Sequence, residues 1–333
     1  MKGIHITALL LLIVALLVTG CAARPETPAA ADPVDAPLRT VTIAMGFIPN
    51  VQFTPMYVAM ERGYFADEGI EVELDYGMET DLLQLVGANQ IQFAIGSGDQ
   101  VVLARGNGLP VTYVFNWYGR FPVCVVSMAD AGIDEPADLV GRTVGTPALQ
   151  GASHIGWLAF LDEVGIAPED IDLQVIGYTQ VASLIENRVD ATVSYVLNEP
   201  VQLVHSGYDI NVFYLDQYTH LVSNGIITND QTIEDDPELV QAVVRAFLRG
   251  LEDTINDPDG AFEIARRAIP EMDDESAELQ REVLRAAADF WRVDRLGFSD
   301  PTHWAESIEI LTGLGLLTGE IDPEDLYTNR FIP

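Results

Sequence analysis

Residues 46–74, "GFIPNVQFTPMYVAMERGYFADEGIEVEL", decide how the chain is to be read. The segment begins at the end of a strand, turns through Pro49-Asn50, continues as a helix and ends as a second strand. Thr54 and Pro55 make a helix start, a capping residue followed by a proline whose missing N–H needs no partner there. The helix is stopped at or before Gly69, and Gly63 interrupts its last turns. "IEVELDY" then alternates apolar and acidic residues with the period of a strand. The turn between strand and helix holds Asn50, Gln52 and Phe53, two amides beside an aromatic ring. That grouping is either ordinary loop chemistry or one wall of a binding site.

The same alternation repeats along the chain. "ETDLLQLVGAN" reads as a helix, "IQFAIG" as a strand, "GDQVVLARGNG" as a helix and "PVTYVFNWY" as a strand. "GRTVGT" and "GASHIGWLAFLDEVGI" repeat the pair, followed by strand "IDLQVIGY", helix "QVASLIENR" and strand "ATVSYV". Strands alternating with helices predict an α/β fold with parallel-dominated sheets flanked by helices. From about residue 235 the patterns are mainly helical: "PELVQAVVRAFLRGLEDTI", "DGAFEIARRAI", "ESAELQREVLRAAADFW" and "PTHWAESIEILTGLG". The apolar runs "FPVCVVSM" and "LVSNGIITN" flank the middle unit and read as two crossings between lobes. The expected division is 39–122 plus 224–333 for lobe 1 and 123–223 for lobe 2, with a cleft between them.

The start of the chain carries a different message. "MKGIHITALLLLIVALLVTGCAA" has a basic start, a short apolar run and small residues at its end, the pattern of an export signal. Val18-Thr19-Gly20-Cys21 resembles the bacterial lipoprotein signal, in which cleavage precedes a cysteine that then carries lipid. This predicts residues 1–20 as signal peptide, Cys21 as the lipidated residue and 21–38 as a flexible Ala/Pro-rich tether. The body would then be held on the extracytoplasmic face of the cell membrane.

Composition excludes several classes. The 333 residues include 17 basic and 51 acidic side chains, a formal net charge of −34, and Lys2 is the only lysine. Nucleic acid is excluded as a partner, because binding a polyanion depends on Lys and Arg displacing counterions. A hydrophobic content of 48% excludes a mainly disordered chain. Of the two cysteines, Cys124 lies in an apolar run and reads as a buried structural thiol. The five histidines are too scattered for a metal site, and Ser97 in "GSGDQ" is not in a nucleophile elbow. No catalytic set, metal or cofactor is expected.

In open α/β sheets ligands sit at the carboxyl ends of strands. Those ends carry Asn50, Gln52 and Phe53; Ser97 and Asp99; Trp117, Tyr118 and Arg120; Gln150 and Ser153; and Tyr195, Asn198 and Glu199. Each has a plainer alternative: Asn50 as a turn residue and Ser153 as a helix cap, with Trp157 nearby reading as core. Together the aromatics and neutral amides, with Arg120 the only cation, suit a flat, largely uncharged heteroaromatic ligand.

Four segments, the opening stretch, "QFAIGSGDQVVLARGNGLPV", "DLVGRTVGT" and "SYVLNEP", resemble a family of type II periplasmic binding proteins. That family includes fungal enzymes making the thiamine pyrimidine and bacterial importer components that bind its precursors, riboflavin or related compounds. The resemblance covers roughly residues 40–230. It implies the solute-binding lipoprotein of an ABC importer, a monomer of two lobes delivering its ligand to a membrane permease. It departs from the thiamine branch at Phe53, where that branch usually carries a histidine, and it lacks the cysteine-rich motif of the enzymes. The resemblance then implies riboflavin rather than a thiamine pyrimidine precursor. Asn50 and Gln52 would read the ligand's edge and Phe53 would pack on its face. Trp117, Tyr118 and Tyr195 would supply other walls, with Glu199 or Asp99 accepting from a ring N–H. Binding of a thiamine pyrimidine precursor stays as the alternative, and an exported enzyme or a sensor on the same fold as the second.

Overall fold

The computed structural model describes residues 37–333. The signal, the Cys21 lipid site and nearly all of the tether expected from the sequence lie outside the described residues. Among the described residues ten strands form two five-stranded sheets. The first contains β1 (Arg39–Met45), β2 (Ile70–Tyr76), β3 (Phe93–Ser97), β4 (Val111–Asn116) and β10 (Asn224–Asn229), in the order β2-β1-β3-β10-β4. The second contains β5 (Val123–Met128), β6 (Thr143–Thr146), β7 (Asp172–Val175), β8 (Ala191–Tyr195) and β9 (Ile210–Tyr214), in the order β7-β6-β8-β5-β9.

Neither sheet is wholly parallel. β1 is parallel to β2 and β3, but β10 is antiparallel to both β3 and β4. β6 is likewise parallel to β7 and β8, while β5 is antiparallel to β8 and β9. In each sheet four strands therefore run one way and one runs back, and the reversed strand is the one that has just arrived from the other sheet. The runs 121–128 and 221–229 are thus largely these strands, and the crossings lie mostly ahead of them. The strand β9 and the helix Glu199–His205 answer to no pattern picked out in the sequence.

The first helix also differs from expectation. The segment opens with a tight 3-10 turn, Val51–Phe53, capped by Asn50, whose side chain accepts the Gln52 N–H at 2.9 Å. The α-helix Thr54–Glu61 follows. Thr54 is not the cap, because its buried hydroxyl donates back to the Val51 carbonyl. Gly63, at φ 73°, ends that helix and starts the short helix Tyr64–Asp67.

The C-terminal helices Pro237–Asn256, Pro258–Ala268 and Ala277–Trp291 bury one face each, and the first packs over Thr54–Glu61. Their inner residues join an aromatic cluster in which Trp117 meets Phe247 at 5.1 Å, Trp291 at 5.3 Å and Tyr118 at 5.1 Å between ring centroids. Among the described residues no helix is long and apolar enough to cross a membrane.

The two crossings are tied to each other. The Asn224 carbonyl accepts both the Trp117 and Tyr118 N–H groups at 3.0 Å, and the Ser223 carbonyl accepts the Gly98 N–H and the Tyr113 hydroxyl, also at 3.0 Å. Gly225 makes this approach possible. A Cβ there would come within 2.1 Å of the Phe115 carbonyl oxygen and 2.2 Å of the Tyr113 ring. Gly225→Ala is expected to cost about 1–3 kcal/mol by overpacking. Gly313→Ala, with nothing within 4 Å of an added Cβ, should leave Tm unchanged or slightly raised. Thermal denaturation of both variants checks the contrast.

Candidate functional site

The carboxyl ends of β1, β2, β4, β6, β7 and β8 and the amino end of the reversed strand β10 all border one cleft. It encloses about 940 Å³, part of it open to solvent, within the range of small-molecule sites. β1 delivers Gly46, Phe47, Gln52 and Phe53, β2 delivers Met78, Glu79 and Thr80, and β4 delivers Trp117 and Tyr118. From the second sheet come Gln150 and Ser153 after β6, Tyr178 and Gln180 after β7, and Tyr195, Asn198 and Glu199 at and after β8. Asn224 closes the floor.

Of the residues singled out in the sequence, Gln52, Phe53, Trp117, Tyr118, Gln150, Ser153, Tyr195, Asn198 and Glu199 line this cleft. Asn50, Ser97, Asp99 and Arg120 do not. Asn50 spends its side-chain oxygen on the Gln52 N–H. Ser97 and Asp99 are fully buried behind the wall. Arg120 borders a second cavity, where it pairs with Asp216 at 3.1 Å and lies 4.4 Å from the Phe290 ring centre. Ser153 sits inside the first turn of the helix Gly151–Glu163, whose N-cap is Gln150, so it does not cap that helix. Trp157 and Cys124 are core residues, both fully buried. Sequence reasoning missed Phe47, Glu79, Tyr178 and Asn224. The available signal for Glu79 was its place immediately after a strand end and at the start of a helix.

The polar groups of the cleft are held by their neighbours. Glu79 Oε1 accepts the Ser97 hydroxyl at 2.8 Å and the Ser97 N–H as well. Thr80 donates to Gln100 at 3.2 Å, and the Gln100 amide donates to Asp99 Oδ2 at 3.0 Å. Asp99 Oδ1 has no hydrogen-bond partner among the described residues, nor do Asn224 Oδ1 and Trp117 Nε1. Glu199 accepts the Tyr195 N–H at 2.8 Å and the Asn198 amide at 3.2 Å. The Tyr118 hydroxyl faces Gln52 Oε1 at 3.5 Å, the outer limit of a hydrogen bond.

Burial governs the ionisation of this group. Glu79 keeps some surface as a residue, but its carboxyl is enclosed, and desolvation followed by the charge of Asp99 pushes it up to about 7. Desolvation pushes Asp99 up to about 6, and also raises Glu199. Across the mouth, the Phe47 and Tyr178 rings meet edge to face at 4.7 Å, and the Tyr178 hydroxyl points at Met78 sulfur at 3.7 Å. Among the described residues no cluster of three or more His, Cys, Asp or Glu side chains is placed to hold a metal.

Comparison with known proteins agrees with this architecture. Residues 50–261 match the family model described as NMT1/THI5 like. The chain is 40% identical to "Riboflavin-binding protein RibY" of Chloroflexus aurantiacus, over 97% of this chain and 96% of that one. It is 31% identical to a "Formylaminopyrimidine-binding protein" of Halalkalibacterium halodurans, over 99% of each. The alkanesulfonate-binding protein SsuA from Xanthomonas axonopodis pv. citri superposes with a TM-score of 0.69 at 13% identity, covering 88% of this chain and 99% of that one. The two-lobed fold is that of the periplasmic binding proteins.

The raised carboxyls set a pH dependence of stability. In the unfolded chain both groups titrate in the ordinary range near 4, so the folded state binds their protons more tightly. Their contribution is complete below about pH 4 and is lost as pH rises through 6 and 7. Tm should therefore fall between pH 5 and pH 8. Glu79→Gln, whose amide oxygen can still accept from Ser97, should flatten that fall and raise Tm at pH 8. An unchanged slope in differential scanning calorimetry would show that Glu79 ionises freely.

Proposed function

The chain belongs to the NMT1/THI5-like family, and we propose that it is the solute-binding component of an ABC importer, taking up riboflavin. One observation carries this reading. A chain 40% identical, nearly end to end, to a protein named for riboflavin binding has a cleft walled by Phe47, Phe53, Trp117, Tyr118, Tyr178 and Tyr195. Rings of this kind present flat apolar faces, while Gln52, Gln150, Asn198, Asn224 and Glu79 offer hydrogen bonds to a ring edge. Riboflavin has three fused rings with a uracil-like edge, and in this reading Glu79 accepts from its N–H, the role expected of Asp99 or Glu199 from the sequence.

In this reading the body is exported and tethered through lipid on Cys21, with residues 39–122 and 224–333 forming one lobe and 123–223 the other. The lobes close on the ligand, and the closed state is favoured by as much as the ligand prefers it. The Phe47–Tyr178 contact then fastens the mouth. The closed form docks on a permease, as binding proteins of this fold do. No chemical step is assigned to the cleft, and riboflavin incubated with the protein should be recovered unchanged by chromatography.

A second reading has its own support: 31% identity over the whole chain to a formylaminopyrimidine-binding protein. Quenching of riboflavin fluorescence, with thermal shift against riboflavin and a thiamine pyrimidine precursor, separates the two. Riboflavin quenching with a raised Tm supports the first reading; a shift with the pyrimidine alone replaces it by the second. Tyr178→Ala should weaken riboflavin binding roughly 3- to 10-fold by removing one aromatic contact at the mouth. Trp117→Ala is a poor probe of the site, because truncating a side chain only 1% exposed should cost about 3–5 kcal/mol of stability.

A further inference from the structure

The charge around the cleft says which chemical form of the ligand can enter. Apart from the phenols of Tyr118, Tyr178 and Tyr195, the ionisable groups among its lining residues are Glu79 and Glu199. No Arg, Lys or His is among the described residues that line it. Behind the wall Asp99 adds a third buried carboxyl.

The positions of these acids matter as much as their number. Helix N-termini are where an α/β fold offers unpaired N–H groups and a positive dipole end to an anion. Here an acid lies in the first turn at two of those places: Glu79 opens the helix Glu79–Gly87, and Asp99 lies in the first turn of Gly98–Gly106. Glu199 is in the first turn of Glu199–His205. The helix Gly151–Glu163 has no acid in its first turn and no side-chain cap, and the same holds for Thr54–Glu61 and the short helix Gln180–Ile185, which also begin at the cleft.

We propose that this cleft accepts the uncharged, dephosphorylated form of its ligand and rejects the phosphomonoester, with Glu79 as a specificity-determining residue. This rests on the reading of the cleft as a riboflavin site and narrows it. A phosphomonoester carries about −1.5 to −2 charges at pH 7. At an effective dielectric of about 20, two like unit charges about 8 Å apart weaken binding by roughly 30-fold. Above the pH at which both carboxyls ionise, Glu79 and Glu199 together multiply that penalty, and no cation among the described lining residues offsets it. Riboflavin 5′-phosphate must then lose its phosphate before capture. In that reaction water adds to phosphorus, the bond from phosphorus to the ribityl oxygen breaks, and the free alcohol and inorganic phosphate leave.

The test is titration of the purified full-length protein in detergent with riboflavin and with riboflavin 5′-phosphate at pH 8, read by flavin fluorescence and by calorimetry. The expected result is binding of riboflavin with the phosphate ester at least about 100-fold weaker, and a ratio at least about 10-fold smaller in Glu79→Gln. A circular dichroism melt confirms that the variant is folded, and Glu199→Gln is the second variant if it is not. Equal or tighter binding of the phosphate ester would overturn the proposal. A ratio unchanged in both folded variants would remove the carboxylates from the explanation. If riboflavin is silent but the thiamine pyrimidine precursor of the thermal-shift test binds, the riboflavin reading fails alone, and that precursor is compared with its phosphorylated form in the same way. If no uncharged form binds, both fall together.

Discussion

The fold depends on a hydrogen-bonded junction at Asn224, whose carbonyl takes the N–H groups of Trp117 and Tyr118. Trp117 and Tyr118 lie on the outgoing crossing and Asn224 opens β10 where the returning one ends, so one acceptor fixes where the chain leaves the first sheet and where it returns. Gly225 lets the returning backbone come close enough for the bond to form. Once β10 is held there antiparallel to β3 and β4, the remaining four strands of that sheet run in a common direction. The second sheet has the same arrangement around β5. Strand ends from both sheets then converge on a single cleft, and the loops that follow them supply its walls.

Much of this was legible in the sequence because it depends on local pattern. The alternation of "IEVELDY" and the apolar period of residues 237–255 mark their elements whatever surrounds them. The reversal of β5 and β10 was not legible, since strand direction is set by partners more than 100 residues away in the case of β10. β9 escaped notice because it is an edge strand with no clean inside and outside, all but its last residue being half-buried. Among the site residues, aromatic side chains after strand ends were easy to find. Glu79 was not, as one acid among 51, and its significance comes from Ser97 and Asp99 behind it. Arg120 follows Trp117 and Tyr118 closely in sequence, but the crossing carries it to the other side, against Asp216 and Phe290.

The cleft combines a rigid floor with costly polar groups. Trp117, Trp291, Phe247 and Tyr118 interlock beneath it, so the residues exposed to a ligand rest on packed rings and not on mobile loops. Above that floor sits the Glu79 carboxyl, with Asp99 behind the wall, and burial resists the ionisation of both. Such groups lower stability near neutral pH and persist where they serve recognition. A wall of this kind suits a ligand that brings hydrogen-bond donors without charge.

The reversed strand also dictates an order of events as the chain is made. The second sheet is built entirely from residues 123–214 and is complete in sequence before β10 exists. The first sheet is not, because β10 belongs between β3 and β4, and until residue 229 is available those two strands have an open slot between them. Its closure joins segments more than 100 residues apart, the kind of long-range pairing that slows folding. A nascent chain of this protein therefore passes through a stage with one finished lobe and one unfinished sheet, whose exposed strand edges are the natural target of a holding chaperone.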